Sequence, residues 1–408
     1  MNFYLSKYGF LPAQLTESVH PETGIIIVIP CFNEPDLTSS LQSLAACDHP
    51  SCVIEVLVVI NSGIHHSEVI KEQNKKSFAA FKHFKNTQNS PFNFHCIFIN
   101  DLPKKHAGVG LARKIGMDEA VARFDHIDTD GIIVCFDADA KVETNYLVEI
   151  EKHFKRYPKS PACSIHFEHP TKGDDYEAEI YEGIKNYELH LRYYNQALKY
   201  ANLPFAYHTV GSSMAVRASA YQKQGGMNKR KAGEDFYFIH KIIALGNFSE
   251  LKTTKVIPSP RKSDRVPFGT GRAIADWIAA GKAAYQSYDL NSFDLIRTFV
   301  SETGAMYRGE LPFISDAFNL YLKEQDFESR LREIRNNTTD YESFQKRFFV
   351  WLDAFQVLKI VHFLRDHQFP NQSLIQSANQ LLSRLDPSKS EEYGLEKLLD
   401  EFRLLEKS

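Results

Sequence analysis

No CxxC pair occurs anywhere in the chain; Cys31, Cys47, Cys52, Cys96, Cys135 and Cys163 are scattered, and several fall inside apolar runs. They read as small core residues in a reducing compartment, not as a disulfide frame or a zinc site. Also missing is an apolar run near the roughly 18 residues of a membrane span, and Met1 to Phe10 lacks the apolar core of a signal peptide. The expectation is a soluble cytoplasmic protein, with contact at the inner face of a membrane left open. Nor is there an excess of either charge: the net value of -3 gives no general reason to expect a nucleic-acid partner. Neither GxGxxG nor GxxxxGK followed by Ser or Thr is present, so the dinucleotide fold and the P-loop lose support.

Apolar material is ample. Hydrophobic residues make up 43% of the 408, with 30 Phe and 19 Tyr, enough for a packed core and for one large catalytic domain plus a smaller one. Gly24-Ile25-Ile26-Ile27-Val28-Ile29-Pro30 reads as a strand buried on both faces, followed by a polar loop and by Leu37, Leu41 and Leu44 at helical spacing. Val56 to Ile60 and Phe94 to Ile99 are further strands, with the helix-like stretch Ser67 to Lys85 between them. Alternating strands and helices imply right-handed crossovers and a mostly parallel sheet, an α/β fold.

Ile132-Ile133-Val134-Cys135-Phe136 is the fourth such strand, and it ends in Asp137-Ala138-Asp139. The C-terminal edge of an open α/β sheet is where ligands bind, and two carboxylates one residue apart can reach one hard divalent cation. Taken alone, the pair also suits a strand running into an Asp-rich turn. Between the third and fourth strands, Gly108 and Gly110 open a helix near Lys105 and Arg113. Such glycines allow close backbone approach to a phosphate whose charge the two cations meet, although an ordinary helix start has the same composition.

Pro30-Cys31-Phe32-Asn33-Glu34, Gly-x-Gly-x-Ala-Arg-x-x-Gly from Gly108 to Gly116, Asp137-Ala138-Asp139 and Gly233-Glu234-Asp235 occur in the order and rough spacing of the GT-A glycosyltransferases. Over about residues 23 to 270 the chain resembles glycosyltransferase family 2. The resemblance implies a GT-A fold, a nucleotide-diphospho-sugar donor, Mn2+ or Mg2+, and inversion at the anomeric carbon. A hydroxyl acceptor, saccharide or lipid-linked, in cell-surface polysaccharide or glycolipid synthesis goes with it. It further implies that Pro30, Phe32 and Glu34 line the base and ribose, with Arg113 on the diphosphate side. Asp137 falls near ribose and metal, Asp139 on the metal, and Gly211 and Ser212 on the acceptor side. Where the family ends its second strand with an acid facing the base, this chain has Ile60-Asn61. Asn61 can donate to and accept from a pyrimidine edge but lacks the charge, and uridine is the favoured base.

Sugar transfer needs a base to take the acceptor's proton and positive charge to hold the departing diphosphate. Asp235, beside Glu234, is the expected base, while either acid equally suits a helix N-terminus. Arg265 is one of four cations in the Pro- and Gly-punctuated stretch from Ser259 to Arg272, which fits a cover over a diphosphate. Tyr181, Tyr187, Tyr193 and Tyr194, in the helical stretch Tyr176 to Tyr200, read as acceptor platforms or as core. Residues 1-272 are thus expected to form the catalytic domain and 273-408 a helical extension that packs on it or pairs two subunits. A silent nucleotide-sugar-binding scaffold, holding a partner through that extension, is the alternative.

Overall fold

In a computed structural model of the chain, residues 2–231, 233–263 and 269–407 are described. Two compact units divide them: Met1–Gly173 with Thr209–Arg272, and Asp174–His208 with Ala273–Ser408. The helical stretch read in the sequence as part of the first unit therefore groups with the helical one.

The first unit is built on a sheet of order β3-β2-β1-β4-β7-β6-β8-β5. Its strands are β1 (Thr23–Cys31), β2 (Val53–Gly63), β3 (Asn93–Leu102), β4 (Ile132–Cys135), β5 (Lys141–Val142), β6 (Ala162–Phe167), β7 (Met214–Arg217) and β8 (Ser249–Ile257). β3, β2, β1 and β4 run parallel, with Cys31 opposite Ile60 and Val28 opposite Cys135. Ile25 to Ile29 and Val56 to Ile60 are buried without alternation, as strands covered on both faces must be. β7 enters antiparallel to β4, pairing Met214 with Cys135, so the segment leading into β7 arrives at the same edge at which β4 ends.

Six helices matter for that edge: α1 (Phe3–Tyr8), α2 (Leu37–Ala45), α3 (Glu68–Thr87), α4 (Val109–His126), α5 (Tyr146–Arg156) and, after α6 (Ala178–Tyr200) and α7 (Ala218–Lys223), α8 (Glu234–Ile243). The Asp36 side chain accepts the Ser39 N–H at 3.1 Å and so caps α2, starting it directly after the loop that leaves β1. α4 is buried on almost every side, including its charged residues. Each of these has a partner: Arg123 donates to Glu55, and Asp118 accepts from Tyr4, Tyr221 and Lys114. The N-terminal lead thereby ties α1 to α4 through a buried carboxylate, a contact that no pattern in the sequence announces.

The second unit is helical. α6 packs against α10 (Leu290–Ser301), α16 (Leu374–Leu385) and α17 (Leu395–Lys407). Arg192, fully buried on α6, pairs with Glu188 at 2.9 Å and with Glu406 of α17. Tyr193 is core here: its hydroxyl donates to the Tyr288 carbonyl at 2.8 Å and its ring meets Phe293 edge-on. Among the described residues no helix is long and apolar enough to cross a membrane.

Candidate active site

The loop leaving β1 is held from α3. Asn33 has φ 49°, in the left-handed region that Asn tolerates, and its N–H donates to Asn74 Oδ1 at 2.9 Å. Asn74 Nδ2 donates in turn to the Asn61 carbonyl at 2.9 Å, and Gln73 and Ser77 both donate to the Glu34 carbonyl, at 2.9 and 2.7 Å. One helix face thus fixes the ends of β1 and β2 together. Phe32 stands half-buried, its ring 4.7 Å from that of His66, and Pro30 is buried within β1.

Glu34 is buried, at 1% exposure, and meets a cation that the sequence did not single out. Arg261 Nη1 donates to Glu34 Oε1 at 2.9 Å, Nη2 pairs with the other oxygen, and the same Nη2 lies 2.6 Å from Asp139 Oδ2. These two carboxylates raise the already high basicity of Arg261 further, against the opposing effect of burial. Arg261 belongs to the loop in which Arg265 was the expected donor contact; Arg265 lies outside the described residues.

Arg113 is the second centre. Its Nη2 donates to Asp137 Oδ1 at 2.8 Å and its Nη1 to Glu234 Oε1. Gly211 fits against this guanidinium because it has no side chain: a Cβ there would stand 2.8 Å from Nη1, 2.9 Å from Nη2 and 3.0 Å from Asp235 Oδ2. Glu234 and Asp235 form the first turn of α8, opened by Gly233 at φ 69°. One buried guanidinium faces three carboxylates. Burial, opposed by Arg113, raises the carboxyl of Glu234 well above its ordinary range, and Asp235 is raised in the same way. The Phe236 N–H, 2.7 Å from Asp235 Oδ1, and the Gly211 N–H hold the Asp235 side chain in place.

Several polar atoms at this edge have no partner among the described residues: both amide atoms of Asn61, at 1% exposure, with Ser62 Oγ, Ser213 Oγ and Arg113 Nε. Buried polar groups in native proteins are nearly always paired, so a run of orphans along one strand edge marks a place that takes a polar ligand. Ser212, 1% exposed, sits between Gly211 and Ser213.

The phosphate reading of the start of α4 concerns Gly108, Gly110 and Lys105. Gly108 and Gly110 do admit a close backbone approach, but what approaches is the chain itself: the Arg230 carbonyl lies against Gly110 and the Lys231 Cα 3.1 Å from where a Gly108 Cβ would be. Lys105 lies exposed in the turn ahead of α4, with no contact to the carboxylate cluster among the described residues. The arrangement brings together Glu34, Asp139 and Arg261, and, separately, Arg113, Asp137, Gly211, Glu234 and Asp235.

No curated protein sequence matches the chain. Solved structures that match include S. aureus TarS 1-349 in complex with UDP-GlcNAc, at 12% identity and a TM-score of 0.40, over 95% of this chain and 91% of that one. The same protein in complex with UDP matches at 15% identity and a TM-score of 0.40, over 95% and 91%. The mannosyltransferase PcManGT from Pyrobaculum calidifontis, in complex with GDP-Man and Mn2+, matches at 13% identity and a TM-score of 0.36, over 100% and 94%. Residues 26–225, from β1 through α7, match the family model described as Glycosyl transferase family 2.

Proposed function

We propose that the first unit transfers a sugar, with inversion, from a nucleotide-diphospho-sugar to an acceptor hydroxyl, with Asp235 as the base. One observation carries this: Arg113, Asp137, Gly211 and Asp235 converge at the C-terminal strand edge of a domain matching glycosyltransferase family 2. Asp235 takes the proton of the attacking hydroxyl, and its raised pKa brings it closer to the neutral working range of a general base. Glu234 and Asp137 orient the Arg113 guanidinium, and Gly211 leaves the hydroxyl room to reach Asp235. Asn61, whose buried amide has a donor and an acceptor unmet, supports recognition of a base edge, and uridine is our choice.

The donor set suits a hard divalent cation. Asp137 and Asp139 offer carboxylate oxygens, and among the described residues no group of three or more His, Cys, Asp or Glu comes together as a complete metal cage. Asp139, with Asp137, would hold Mg2+ or Mn2+, the remaining positions falling to the donor's diphosphate and water. The ion would stabilise charge on the departing diphosphate. Arg261 first has to leave Asp139, and a guanidinium so released suits a diphosphate oxygen pair.

The test is a panel of UDP-, GDP-, dTDP- and CMP-sugars, each followed for metal-dependent release of free nucleotide by wild type and Asp139→Ala. Slow hydrolysis of one donor, lost in the variant, is the expected result. If none is hydrolysed and none raises the melting temperature with Mn2+, a non-catalytic scaffold replaces this proposal.

A further inference from the structure

Lys104 and Lys105, in the turn ahead of α4, and Lys229, Arg230 and Lys231, in the segment ahead of α8, are all exposed. Contact joins the two segments. Arg230 and Lys231 lay their backbone on Gly110 and Gly108, and Lys229 Nζ lies 5.4 Å from the centroid of the Phe10 ring, which in turn meets His106 edge-on at 6.5 Å. Among the described residues none of these five cations pairs with a carboxylate, although other surface lysines do: Lys71 with Glu68, Lys152 with Glu149, Lys255 with Glu168. Asp101, three residues ahead of Lys104, closes no ion pair with them, and no acid stands in the first turn of α4. The histidines alongside record the field. Burial first, and then Lys229, Lys105 and Lys231, hold His106 below its usual value, while burial, His65, Lys231 and Lys71 do the same for His66.

In a chain of net charge -3, five cations without a carboxylate partner, two of them stacked on the rings of Phe10 and Tyr237, repel one another on two touching segments, and an anion relieves that repulsion. Their position says which anion. The basic segment runs directly into Glu234 and Asp235, and a Cβ on Gly110, the residue it packs on, would stand 3.0 Å from Glu234 Cβ. A group held there therefore lies beside Glu234 and the base that follows it. A lysine reaches about 6 Å from its backbone and three donors suit a phosphate oxygen shell.

We propose that Lys104, Lys105, Lys229, Arg230 and Lys231 form a collar that binds a phosphate carried by the acceptor, so that the acceptor substrate is a phosphate-bearing molecule in solution. The proposal rests on the glycosyltransferase reading of the neighbouring site. In this assignment the collar serves the acceptor, while Glu34, Asn61 and Asp139 serve the donor.

The test uses the full chain, with labelled linear polyphosphate as probe in fluorescence anisotropy at low and high salt. The proteins are wild type, the double variant Lys104→Glu with Lys229→Glu, and the double variant Lys104→Arg with Lys229→Arg. UDP and GDP binding with Mn2+ is measured on the same samples. Wild type is expected to bind polyphosphate, more weakly as salt rises, with affinity falling at least about tenfold in the glutamate variant and kept in the arginine variant. Nucleotide affinity is expected to stay within about twofold, because solvent-exposed charges act weakly on a neighbouring site once salt screens them. Absence of polyphosphate binding by the wild type, or equal binding by the glutamate variant, overturns the collar. So does a parallel loss of nucleotide binding, which would assign these cations to the donor's diphosphate. Binding to phosphatidylglycerol vesicles without binding to polyphosphate overturns it in favour of a membrane-facing patch. A wild type that binds neither nucleotide but does bind polyphosphate would instead remove the donor reading and leave the collar standing.

Discussion

Arg113 carries one positive charge and faces Asp137, Glu234 and Asp235, so with all three ionised two negative charges there are uncompensated. The consequence for stability has a definite sign. A carboxyl whose folded pKa is raised binds more protons folded than unfolded, so its contribution is full below the unfolded value and is lost as pH rises through the folded one. Asp235→Asn removes one such group. Melting curves between acid and mildly alkaline pH should therefore show the variant gaining on the wild type as pH rises, while turnover falls by about 10² to 10⁴-fold. The wild-type rate should fall on acidification at a pH above the ordinary aspartate range, since the base must be deprotonated and its pKa is raised. Arg261 makes a second residue-scale case. Its guanidinium holds the oxygen of Asp139 that a cation would need, so Arg261→Ala should bind Mn2+ more tightly than wild type in the absence of nucleotide, as read from the free-ion EPR signal. Unchanged or weaker Mn2+ binding would mean that Arg261 does not compete for that carboxylate.

At the scale of elements, α3 matters more than its polar sequence suggests. Asn74 alone ties the Asn33 N–H of the β1 loop to the Asn61 carbonyl of β2. Asn74→Ala leaves the buried Asn61 carbonyl and the half-buried Asn33 N–H without this partner, at a cost of about 1–3 kcal/mol for the buried group if left unsatisfied. It should lower the melting temperature and weaken nucleotide binding together, whereas Ser77→Ala, which leaves Gln73 on the same carbonyl, should do so less. The four parallel strands were legible because short apolar runs alternating with helical stretches have few other uses, and Asp137 and Asp139 were legible because they end one of them. The convergence of Arg113, Gly211 and Asp235 was not, since it depends on β7 lying antiparallel beside β4, a pairing that short strands do not declare. Arg261 was hidden among the cations of its loop for a related reason: spacing says nothing about which of them folds back onto Glu34. The glycines of α4 show the converse, a phosphate-like signature satisfied by the protein's own backbone.

At the scale of the molecule, the second unit is assembled from two distant parts of the chain. The tyrosines of α6 read in the sequence as acceptor platforms or as core, with no partner named, and the helix packs on α10, α16 and α17. Its buried charges depend on that arrangement: Arg192 needs Glu406, and Arg403 of α17 donates to Glu188 at 2.7 Å. Ending the chain at Gly394 removes both Glu406 and the apolar cover of Leu398, Leu399 and Phe402. Breaking a buried pair from one side costs about 3–5 kcal/mol, comparable with the whole stability of many domains. The truncated chain should be recovered in the insoluble fraction after expression under conditions in which the full chain is soluble.

The same discontinuity sets an order of events during synthesis. α6 leaves the ribosome about 200 residues before α17 exists, an interval of about 10–40 s at ordinary elongation rates. Throughout it Arg192 has no Glu406 and the apolar side of α6 has no cover, in the middle of a nascent polypeptide whose first strands are already able to pair. Until α17 is made, the newborn chain therefore carries an apolar helix side that its own later residues are to cover.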